Sequence, residues 1–280
     1  MPFLELFDET LDINSTESYE MSLQVSPDNL SFCLLDTIRN KYILIRSFRP
    51  ENSRRFGSEQ IGEIISKDDF LNRRFKKVHV IMPSPKFTLI PAPLYDPGRK
   101  DDYFSFNHVT AESSIILNNK LPEPDSFLLF AVSKPLYELI REIYPSVHPF
   151  HHLRVLFDHI SRISKSAGDL YIHVHVEADF FNLVIFNNNL LQFSNTFIYR
   201  NISDIMYFIL NVFRNMGIKQ EETIYLSGLT ERFDDLYSNI SLYIRNVKFS
   251  EPIGSFTFSY VFNDTDLHRY INLLSVVNCG

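Results

Sequence analysis

The chain is expected to fold as an α/β protein of two similar lobes, and three observations carry that expectation. The order strand, strand, strand, helix, strand occurs twice, offset by about 150 residues, which marks a duplicated domain rather than a solenoid. Apolar residues switch between a period of two and a period near 3.6 along both halves. The length of 280 residues, 45% of them hydrophobic, supplies two ordinary cores without disulfides or a structural metal.

In the first half, residues 1–19 are acidic and show no sustained period, so they are expected to be a flexible tail. The first lobe is expected over residues 20–167. Met21, Leu23 and Val25 alternate with polar neighbours, Ser26-Pro27-Asp28-Asn29 signals a turn, and Leu30–Leu35 reads as a second strand. Lys41–Phe48 completes a meander. A helix is expected near Ser58–Ser66, with Ser58 as its cap, and a second helical piece near Asp68–Phe75. Val78–Met82 is the next strand. Seven prolines between Pro83 and Pro124 predict short strands and an insertion, and helices are expected over Pro135–Tyr144 and His151–Lys165.

The second lobe, residues 168–280, opens at Gly168. Its strands are expected at Leu170–Val176, Phe180–Phe186 and Leu190–Phe197, joined by Glu177-Ala178-Asp179 and Asn187-Asn188-Asn189. Ser203 is expected to cap a helix with Ile205, Phe208, Ile209, Val212, Phe213 and Met216 on one face, closed by Gly217. Thr223–Ser227 follows as a strand.

Composition excludes several functions. A net charge of −7 argues against a nucleic-acid surface. The longest uncharged stretch, Phe180–Tyr199, holds five Asn residues and breaks into strands, so no membrane span is expected. An acidic N-terminus lacks the basic start of a signal peptide. Cys33 and Cys279 form no Cys-x-x-Cys pair, which suits a reducing, cytoplasmic setting. Gly-x-Ser-x-Gly, Gly-x-x-x-x-Gly-Lys-Ser/Thr and Gly-x-Gly-x-x-Gly are all absent.

The repeated meander–helix–strand order resembles the actin-like ATPase fold over roughly residues 20–277. More narrowly, Lys76-Lys77-Val78-His79-Val80-Ile81, Phe87-Thr88-Leu89-Ile90-Pro91 and Ile224-Tyr225-Leu226-Ser227-Gly228 resemble a bacterial family of unknown function with that fold. The pilus-assembly actin homologues, cytoplasmic adaptors, are the nearest functional analogues the resemblance implies. It also implies an ATP cleft between lobes, with an Asp-x-Gly-Thr turn after the first strand of each and paired glycines in the adenosine loop.

The turns here depart from that pattern. Ser26-Pro27-Asp28-Asn29 and Glu177-Ala178-Asp179-Phe180 contain no Gly, and Pro27 has no N–H to donate. Only Gly228 stands in the third loop, followed by Leu229. Asp28, Glu177, Asp179, Ser227 and Gly228 are therefore expected to mark a vestigial nucleotide cleft. The leading expectation is a catalytically degenerate adaptor without cofactor, binding a protein or peptide. The alternative is a Mg-ATP-dependent ATPase with atypical phosphate loops.

Other clusters have plainer readings. His173 and His175 share one strand face and could share a metal, which would suit a metal-dependent hydrolase, but a half-solvated face explains them as well. His148, His151 and His152 gather at a helix start without His-Glu-x-x-His spacing. Arg54-Arg55 and Arg73–Lys77 are expected to be solvated basic ends. No metal site is expected.

Overall fold

The computed structural model describes residues 1–50, 55–167 and 170–279. The first sheet begins with β1 (Leu4–Phe7) and continues through β2 (Tyr19–Val25), β3 (Leu30–Asp36) and β4 (Lys41–Phe48). β2, β3 and β4 form the expected antiparallel meander, with Leu23 opposite Phe32 and Cys33 opposite Ile45. After α1 (Ser58–Lys67), β5 (Lys77–Ile81) returns parallel to β2. Strand order is β1-β4-β3-β2-β5.

Three expectations are corrected in this half. The tail over residues 1–19 is ordered. Leu4–Phe7 pairs antiparallel with β4, and Leu4 and Leu6 pack against buried Cys33, Tyr42 and Ile45. Four residues of alternation are too few to stand out in sequence. Asp8 behind them is buried and takes Lys41 at 2.8 Å. Burial alone would raise its carboxyl pKa, but hydrogen bonds from Lys41, Ser259 and Thr10 hold it well below the carboxylate range. α1 is capped not by Ser58 but at Gly57, whose N–H donates to Gln60 Oε1 at 3.0 Å. Asp68–Phe75 is no helix. The Asp68 carboxylate accepts from the Phe70 and Leu71 N–H groups and pairs with Arg46, which fixes a turn instead.

The proline-rich insertion forms a separate antiparallel sheet of β6 (Phe87–Pro91), β7 (Ser114–Leu121) and β8 (Ser126–Ser133), in the order β6-β8-β7. α2 (Lys100–Asn107) precedes β7 and α3 (Lys134–Ile143) follows β8. α4 (His152–Ala167) then crosses to the second lobe. Gly168, expected to end it, lies outside the described residues.

The second sheet repeats the first. β9 (Leu170–Val176), β10 (Phe180–Asn187) and β11 (Leu190–Ile198) form a meander. α5 (Ile202–Met216) leads to β12 (Thr223–Gly228), parallel to β9. Asn201, not Ser203, caps α5, because Asp204 at the third helical position reciprocates its hydrogen bond. Gly217 closes the helix at φ 67°, as expected. After α6 (Asp235–Tyr243), β13 (Asn246–Phe249) completes the order β11-β10-β9-β12-β13.

The C-terminal residues do not stay with the second lobe. β14 (Thr257–Phe258) pairs with β4, and α7 (Ile271–Ser275) packs on β2, β3 and α4. The apolar face of Cys33, Leu35, Tyr42 and Ile45 needs a cover, and Phe262, Leu273 and Leu274 provide it.

Candidate functional site

The two corresponding turns, β2–β3 and β9–β10, face each other between the lobes. In the first, every backbone N–H is accounted for. Ser26 N–H donates to Asn29 O at 2.9 Å, and Pro27 has none to give. Asp28 and Asn29 N–H both donate to the Ser26 hydroxyl, at 3.3 and 3.0 Å. The outward carbonyl of Pro27 accepts from Phe56 N–H at 2.6 Å, which folds the chain after β4 over the turn.

The second turn is tied similarly. Glu177 N–H donates to Phe180 O, Tyr199 N–H to Asp179 O, and the Tyr199 hydroxyl to Glu177 O at 2.6 Å. Asp28 and Asp179 are then joined by one cation. Arg55 Nε lies 3.2 Å from Asp28 Oδ1, and its Nη2 donates to Asp179 Oδ2. Asp28 has its pKa raised, first by burial and further by Asp179 and Glu177, against the pull of Arg55. The field of Asp28, then of Asp179, raises the Arg55 guanidinium. Beside this pair, Gln24 Nε2 reaches Glu177 Oε1 at 3.5 Å, a second link between lobes.

Of the expected site residues, Asp28, Glu177 and Asp179 thus converge. Ser227 does not. Its side chain is buried under the second sheet, 2.7 Å from both His173 Nε2 and His175 Nδ1, so it can donate to one imidazole and accept from the other. Gly228 faces backbone: at φ +83°, an added Cβ would lie 2.1 Å from Val176 O. Close approach of β12 to β9 accounts for this glycine.

The half-solvated reading of His173 and His175 is corrected, since both are buried. α4 and α7 cover that face and bring polar partners. Asn272 Nδ2 lies 3.2 Å from His175 Nε2, which is also 3.3 Å from Glu177 Oε1. His152 meets Asn182 Oδ1 at 2.7 Å, His159 meets Ser250 and Ser275, and His151 meets Ser84 O. Burial drives the pKa of His152 and of His159 down to about 4, and those of His151 and His173 well below the ordinary value. His148 is separate and bonds Asn118 O. Among the described residues, no group of three or more His, Cys, Asp or Glu is placed to hold a metal.

Sequence reasoning missed Arg55, Gln24 and Asn272. Arg55 is more than half exposed, as expected of the Arg54-Arg55 pair, and its bridge to the two turns has no local pattern in the sequence. Arg54 lies outside the described residues. The Arg73–Lys77 run is solvated, as expected, with Lys76 reaching Thr37.

Comparison with solved structures identifies the architecture. A Bacteroides thetaiotaomicron protein with actin-like ATPase fold and unknown function aligns at TM-score 0.77 and 22% identity, covering 86% of this chain and 94% of that one. The PilM–PilN type IV pilus biogenesis complex aligns at TM-score 0.55 and 9% identity, covering 92% and 98%. The chain has the actin-like ATPase fold. Curated protein sequences gave no match. None of the helices is long and apolar enough to cross a membrane, among the described residues. The profile described as Protein of unknown function (DUF3822) matches residues 8–247, and the chain belongs to that family.

Proposed function

We propose that the protein is a catalytically degenerate actin-like adaptor that works by binding a protein partner. The observation that carries this reading is the self-satisfied first turn. Phosphate binding in such a turn needs free backbone N–H groups and a close approach. Here the Asp28 and Asn29 N–H groups are spent on Ser26, Pro27 offers none, and Arg55 stands between the acidic residues where a divalent cation would be needed. The residues present do not fit a Mg-nucleotide. In the alternative reading, Asp28, Glu177 and Asp179 would surround Mg²⁺, and Arg55 would have to leave.

The partner half of the reading is supported by β11. This nine-residue strand ends its sheet and carries no charge and no proline, two of the devices that protect exposed edges. Its counterpart in the first lobe, β4, is covered on the same side by β1. An extended partner segment adding to β11 would restore that symmetry. One similar structure, PilM–PilN, is itself a complex.

Steady-state ATP turnover tests the proposal. The expected rate is that of the buffer, unchanged by Asp28→Ala or Asp179→Ala. Turnover that either substitution abolishes would overturn it.

A further inference from the structure

The uncharged edge strand β11 has a core that reads alike in both directions about Asn195. Phe193-Ser194-Asn195-Thr196-Phe197 carries an aromatic ring at each end, a hydroxyl inside each ring and an amide at the centre. We infer that the segment adding to this edge is β11 of a second copy of the chain, antiparallel and centred on Asn195, so that two five-stranded sheets join across a two-fold axis. This names the occupant and rests on the reading of β11 as a docking edge.

Backbone geometry sets the register. Thr196 N–H donates to Asn195 Oδ1 at 2.9 Å, so it points away from β10 and out of the sheet. Alternation turns the Ser194 backbone groups outward as well. Pairing about Asn195 then sets Ser194 against Thr196 of the second copy, twice by symmetry, with the outward groups of both strands meeting. From Phe193 to Ile198 the ladder to β10 runs without a register shift, so this stretch presents a regular edge.

Side chains match in that register. Ser194 Oγ is shut off from water and has no partner within one copy. Thr196 Oγ1 accepts from Asn182 Nδ2 at 2.7 Å, which leaves its own proton free for Ser194 of the second copy. Phe193 faces Phe197 of the second copy. Phe197 is half-buried and stacks on Phe181 and Phe208, with centroids 5.2 and 4.6 Å away, so the added ring extends that cluster.

Charge complementarity favours a second copy over an unrelated strand. Arg200, just beyond β11, is exposed and makes no ion pair among the described residues. Glu123 stands at the other end of the strand, where its Oε2 accepts from Asn189 Nδ2 at 3.2 Å. Pairing about Asn195 brings Arg200 opposite Leu190 of the second copy and towards its Glu123, and the axis repeats the contact. Each chain has a net charge of −7, and here two copies approach without like charges meeting.

Sedimentation equilibrium of the purified full chain tests the inference. The expected result is a concentration-dependent dimer of twice the chain mass. Asn195 lies opposite its own copy, so Asn195→Lys and Asn195→Glu should each weaken dimerisation about fivefold or more, and an equimolar mixture of the two should restore it. Opposite residues in a non-hydrogen-bonded pair have Cα atoms about 4.5 Å apart, within reach of a disulfide. Asn195→Cys should therefore cross-link on oxidation. Gln192→Cys should not, because its own copy lies at the far end of the paired strand. Cys33 and Cys279 are buried and stay out of the reaction. A chain that remains monomeric, or a dimer indifferent to both charge substitutions, would overturn the inference. A monomer whose Asn195 crosslinker captures a chain of different mass overturns it and leaves the edge reading standing; a monomer with no capture removes both.

Discussion

At the scale of residues, the acidic turn positions were legible and their partner was not. Asp28, Glu177 and Asp179 sit well in turns whatever their function, and equivalent positions in a duplicated fold must face each other. Arg55 reaches them from outside both strands, and no local pattern encodes a contact spanning 124 residues. Because Arg55 is more than half exposed, the pair adds little stability, so Arg55→Ala should change unfolding free energy by less than about 1 kcal/mol. Gly228, expected to mark a vestigial nucleotide cleft, packs directly against the Val176 backbone. Gly228→Ala should cost at least about 2 kcal/mol, read as a fall in the denaturant midpoint, since both the positive φ and Val176 O oppose a Cβ. A neutral Gly228→Ala would contradict that packing role. Ser26→Ala should cost about 1 kcal/mol and speed amide exchange at Asp28 and Asn29, which lose their acceptor.

At the scale of elements, strands and helices followed from periodicity wherever a segment spanned several repeats. β1 escaped because four residues carry almost no period, and the Asp68 turn was mistaken for a helix because its apolar spacing is helical. The histidine face of β9 shows the limit of strand reasoning. Alternation places His173 and His175 together, but only α4 and α7 decide that the face is dry. That dryness has a pH consequence. His151, His152, His159 and His173 stay neutral in the folded protein below their ordinary value near 6.5. The unfolded chain then binds protons that the folded chain does not. Stability should be level above pH 7 and fall as pH drops from about 6.5 towards 4, each histidine removing about 1.4 kcal/mol per pH unit. Denaturant midpoints at pH 8, 7, 6 and 5 check this, and equal values at pH 7 and 5 would contradict it.

At the scale of the whole molecule, duplication was readable from sequence because element order survives when motifs do not. The return of β14 and α7 to the first lobe was not readable, since their contacts depend on which face of the first sheet needs cover. Among the ties between the two lobes are α7, Gln24–Glu177, and Arg55 between the facing turns. Strand β11 ends its sheet and is the edge proposed for a partner. A photo-crosslinker at exposed Asn195 should capture that partner in cells at a single mass, while one at exposed Arg214 on α5 should not. Capture from both positions, or from neither, would count against the edge.

The most direct test of the central claim, that the cleft no longer takes a nucleotide, is a calorimetric titration of the purified protein with Mg-ATP. No saturable heat is expected through millimolar nucleotide. Saturable binding in the micromolar range, lost in Asp28→Ala, would contradict it and make the protein a nucleotide-dependent member of its fold.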